Sequence, residues 1–121
     1  MTGLMGVISK KDALNTIFYG TDYHTHLGTK YGGLSYVDEN GNIFKKIHEI
    51  SNTQFKSKFH DEISDIRSSK MIGVISDKDP QPLTFLSRFG QFAICMTGLI
   101  VNKDEIKERL IHEGTNFSEV Y

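Results

Sequence analysis

The tetrapeptide Asp38-Glu39-Asn40-Gly41 separates two segments that read as β-strands, Gly33 to Val37 and Asn42 to Ile50. Asn-Gly between such segments is the strongest short-range signal for a β-hairpin, because both residues accept the positive φ that a tight, strand-matched turn demands. An antiparallel pair near the middle of the chain needs partners on its faces and edges, and the flanking sequence supplies them. Gly3 to Ile8 reads as a further strand, with Leu4 and Val7 expected in the core. Ser9, with Asp12 three residues on, resembles a capping box ahead of Leu14, Ile17 and Phe18 at helical spacing, and Gly20 is expected to end that helix.

Phe55, Phe59, Ile63 and Ile66 recur at three- and four-residue intervals among Lys, Ser, Asp and Glu. This is one apolar stripe on a helix expected to begin near Ser51 or Asn52. Met71 to Ile75 reads as a short strand and 77–82 as a loop; Leu83 to Leu86 and Gln91 to Met96 form a second hairpin around Arg88-Phe89-Gly90. Asn102 is expected to cap a last helix that packs through Ile106 and Leu110. Its acidic first turn (Asp104, Glu105), basic end (Arg109, His112) and stop at Gly114 complement the helix dipole. The order β, α, ββ, α, β, ββ, α predicts an α+β fold in which antiparallel β-sheets are faced by helices.

The 121 residues are enough for one compact unit or part of one. A formal net charge of −1, with lysines spread among carboxylates, leaves no basic field for a nucleic-acid partner. The pair Lys45-Lys46 reads as a solvated strand edge. No apolar run approaches the ~20 residues that cross a bilayer and the N-terminus lacks a signal-peptide layout, so no membrane partner is expected and the reading is cytoplasmic. The single cysteine, Cys95, lies in an apolar stretch and fits a buried small hydrophobe in a reducing compartment. His24-Thr25-His26 would put two imidazoles on one face of a strand, but no third ligand accompanies them, so no metal is expected. His48, His60 and His112 fall on polar faces. Gly28, Gly32 and Gly33 lack the Lys-Ser/Thr pair of a phosphate-binding loop, and no cofactor is expected.

Four pieces of the chain resemble, in order, the class II glutamine amidotransferases. Thr2-Gly3-Leu4-Met5-Gly6-Val7 looks like their opening strand with the cysteine replaced. Residues 18–34 look like the Tyr-Tyr-Gly … His-Arg-Gly-Gln … Ala-Gly-Ile stretch of the glutamine phosphoribosylpyrophosphate amidotransferase branch, sharing Tyr19, Gly20, His26, Gly28 and Gly33. Gln81-Pro82-Leu83 is similar to the family's Gln-Pro-Leu, and Ala93 to Asn102 stands where the family has Ala-Ile-Ala-His-Asn-Gly-x-x-x-Asn. The resemblance implies the front portion of an Ntn-type αββα sandwich. Residues 1–121 would be a partial N-terminal glutamine amidotransferase-like domain, with no second domain in this chain.

The resemblance also places the functional positions. The nucleophile position falls on Thr2, the carboxylate-gripping arginine on Ser76, and the oxyanion pair, an Asn side chain and the next Gly N–H, on Thr97 and Gly98. Thr2 lacks the thiolate that attacks the amide, and Ser76 lacks the planar two-donor fork that suits a carboxylate. Thr97 lacks the amide donor, whose loss typically costs about a hundred- to a thousand-fold in rate. Three changes together imply a glutaminase that has lost its activity and is kept for structure, assembly or regulation. Its expected partners are a C-terminal phosphoribosyltransferase domain of the parent chain and a homo-oligomeric copy. Two alternatives stay open. One is an active amidohydrolase in which the Thr2 hydroxyl works beside a free α-amine, which requires removal of Met1. The other is a free-standing ligand-binding or assembly domain.

Overall fold

A computed structural model of the chain describes residues 2–26, 30–52 and 54–115. Strands β1 (Gly3–Ile8), β2 (Tyr31–Val37), β3 (Ile43–Glu49) and β4 (Lys70–Ser76) form one antiparallel sheet in the order β1-β4-β2-β3, and β5 (Leu83–Ser87) pairs with β6 (Gly90–Ile94) in a separate hairpin. Helices α1 (Leu14–Tyr23) and α2 (Phe55–Ile63) cover one face of the sheet; α3 (Lys103–His112) follows the hairpin. The α+β class with antiparallel sheets faced by helices is the observed architecture.

The β2–β3 hairpin forms where expected, but its turn differs from the two-residue form with both Asn40 and Gly41 at positive φ: only Gly41 enters that region, and the Asp38 N–H donates to the Asn42 carbonyl at 2.9 Å across a three-residue loop. Asp38 Oδ1 accepts the N–H groups of Asn40 and Asn42 at 2.9 and 2.8 Å, and Gly41 takes φ +82°. The core lies between sheet and helices. Leu14, Ile17, Phe18 and Thr21 repeat on one side of α1, and Phe55, Phe59 and Ile63 on one side of α2, all buried. Phe55 lies 5.6 Å from Phe18 and 4.6 Å from Phe59 between ring centroids, over Leu34 and Ile75 of the sheet. Each such side chain contributes about 1.5–3 kcal/mol by leaving water.

Several local expectations need correction. Helix α1 has no Ser9 cap; Asp12 Oδ1 accepts the Leu14 N–H at 3.3 Å and the Ser68 N–H at 3.0 Å, so the helix start is tied to the segment before β4. Gly20 does not end α1, which runs on to Tyr23, because this glycine is a packing site: a Cβ there would overlap Met5 Sδ of β1. Helix α2 starts at Phe55 behind Gln54 rather than near Ser51. Leu4 is 42% exposed, since strand alternation turns Gly3, Met5 and Val7 toward the helices and Leu4 away from them. Helix α3 buries none of its residues; Ile106 is exposed, although Asn102 and Gly114 (φ +96°) do bound it. No helix among the described residues is long and apolar enough to cross a membrane.

Candidate functional site

One corner of the sheet gathers the residues singled out by sequence. Gly3 pairs with Ile75, and Ile75 faces the helices, so the next residues along each strand, Thr2 and Ser76, lie at the same strand end and turn to the opposite face. Tyr31 pairs with Ser76 from the other side. Two residues into β2, the Gln81-Pro82 segment rests on Gly33, where a Cβ would overlap the Gln81 carbonyl oxygen and lie 2.8 Å from Pro82 Cδ. Gln81 in turn reaches the loop after β6, its Oε1 accepting the Met96 N–H at 2.8 Å, and this tether brings Thr97 and Gly98 toward the corner. All three candidate positions are thus carried on elements that converge.

Their chemistry is modest. Ser76 is 1% exposed, and its hydroxyl oxygen accepts the N–H groups of Lys78 and Asp79, each at 3.2 Å, so it closes the turn after β4. The Ser76 carbonyl accepts the Lys30 N–H at 3.2 Å. Thr97 is exposed, and Gly98 holds φ +130°, a backbone conformation that favours glycine. The corner has backbone N–H groups and hydroxyls to offer, with no side-chain amide at the Thr97 position.

A carboxylate clamp would need a guanidinium, and the chain's three arginines are engaged elsewhere. Arg67 donates to the carbonyls of Ser64 and Ile66, Arg88 lies 4.7 Å from the Phe89 ring centroid, and Arg109 pairs with Glu113 on α3. The backbone brings two lysines to Ser76, Lys78 through the turn after β4 and Lys30 across the sheet, and the Lys30 Nζ sits 5.4 Å from the Tyr31 ring centroid. Lys30 is not legible as a neighbour of Ser76 in the sequence, because its closeness comes from the β2–β4 pairing rather than from chain neighbourhood. The tethering role of Gln81 was missed for the same reason.

The histidines sit in different settings. His24 and His26 lie in a 3₁₀ turn (His24–His26) after α1 and not on a strand. Their Nδ1 atoms are each 2.7 Å from a carbonyl oxygen, of Gly20 and Tyr23 respectively. His48 departs from the polar-face expectation: its ring stacks edge-on over Phe59 at 4.8 Å while Nε2 contacts Glu62 at 2.9 Å, closing the end of the core. No group of three or more His, Cys, Asp or Glu converges among the described residues. Cys95 is half-buried, and burial pushes its thiol pKa up, the opposite of what a nucleophile needs. Gly28 lies outside the described residues.

Neither a family model nor a curated protein matches the sequence. Solved structures do. The chain superposes with a TM-score of 0.81 and 21% identity on a structure described as the allosteric regulatory enzyme of purine biosynthesis, over 98% of this chain and 26% of that one. It superposes with a TM-score of 0.80 and 21% identity on glutamine phosphoribosylpyrophosphate amidotransferase from B. subtilis complexed with ADP and GMP, over the same shares. The chain therefore has the fold of part of these enzymes and spans about a quarter of their length.

Proposed function

We propose that this chain is a glutaminase-like domain of an amidophosphoribosyltransferase-like protein, acting in purine nucleotide synthesis in the cytoplasm, in which glutamine hydrolysis has been lost. The observation that supports the reading is the corner itself: the position that the resemblance gives to the clamp holds a buried serine engaged in its own turn, and the three arginines are engaged elsewhere. Binding a free carboxylate there without a fork of donors would leave it weakly held, and Thr97 offers no amide to a developing oxyanion. The likeness to purine-synthesis enzymes supports the context. In this reading the domain folds against a phosphoribosyltransferase domain and contributes structure, assembly or regulation.

The test is ammonia release from glutamine by the purified chain beside a Thr2→Ala control. Equal, background rates are expected. Turnover well above the control would establish instead an amidohydrolase using Thr2, the competing reading.

A further inference from the structure

We draw no further inference here: the strongest candidate, the polar cleft of about 310 Å³ between α1 and α2 lined by Asn15, Tyr19, His60 and Arg67, carries nothing, because among the described residues it presents no buried, unpartnered polar side chain, its Arg67 guanidinium already donates to the Ser64 and Ile66 carbonyls, and nothing in the structure shows what occupies it.

Discussion

Replacing Gly33 by alanine tests whether the corner is held together from the sheet. A Cβ at this position would overlap the Gln81 carbonyl oxygen and stand 2.8 Å from Pro82 Cδ. The obstacle is main chain and a ring, neither of which can swing away like the end of a long side chain, so the 81–82 segment must lift off β2. Overpacking of this kind costs about 1–3 kcal/mol. The lift also strains the bond from the Met96 N–H to Gln81 Oε1, worth about 1 kcal/mol more. A loss of roughly 2–4 kcal/mol corresponds, at about 4 °C per kcal/mol for a domain of this size, to a melting point lower by about 8–16 °C. Gly6→Ala is the control: its Cβ would meet Ile72 Cγ2 at an ordinary 3.7 Å, and its φ is not positive. That exchange should stabilise by about 0.4–1 kcal/mol through the unfolded chain. Urea titration gives both values, and the amide resonance of Met96 should shift in Gly33→Ala alone. Equal midpoints for the two variants would refute the claim that the 81–82 segment is seated on β2.

Leu4→Asp should cost no more than about 1 kcal/mol, because Leu4 is 42% exposed on the face away from the helices, whereas Ile17→Asp at 0% exposure should prevent folding; thermal melts of the pair decide it, and equal behaviour would mean that β1 is turned over. Thr2→Cys should not create glutaminase activity even with its α-amine free, since Ser76 still cannot hold the substrate carboxylate; turnover in that variant, followed as ammonia release, would show that the clamp is elsewhere, with Lys30 the first residue to test. Burial holds the Cys95 thiol pKa above its ordinary 9.0, so as pH rises past that value the unfolded chain loses a proton that the folded chain keeps, and stability falls. The decline in urea midpoint above pH 9 should be shallower in Cys95→Ala, and identical slopes would remove the effect.

Much of the fold was legible because its signals are local. The Asp38–Asn42 turn is written in one tetrapeptide, and the α2 stripe of Phe55, Phe59 and Ile63 is written in spacing. What misled was every residue whose role is set by a distant partner. Gly20 looks like a helix stop and is a seat for Met5; Ser9 and Asp12 look like a local cap, yet Asp12 is shared with Ser68, fifty-six residues away. Leu4 looks like core because the hydropathy of Gly3 to Ile8 does not alternate clearly, and only the pairing with β4 shows which side of the strand meets the helices.

The candidate site divides along the same physical line. Gly33, Gln81 and Pro82, where the family resemblance is kept, answer to packing: the glycine makes room for a crossing backbone, and the glutamine ties that backbone to the loop at Thr97. Each is required for the corner to exist whatever happens there. Where the resemblance fails, Thr97 is exposed and Ser76 is buried in a local turn of its own. A serine closes the turn after β4 by accepting two N–H groups, a role the longer arginine side chain cannot fill because a guanidinium has no acceptor. The Ser76 hydroxyl therefore has a folding role of its own at the position that the resemblance assigns to a carboxylate clamp.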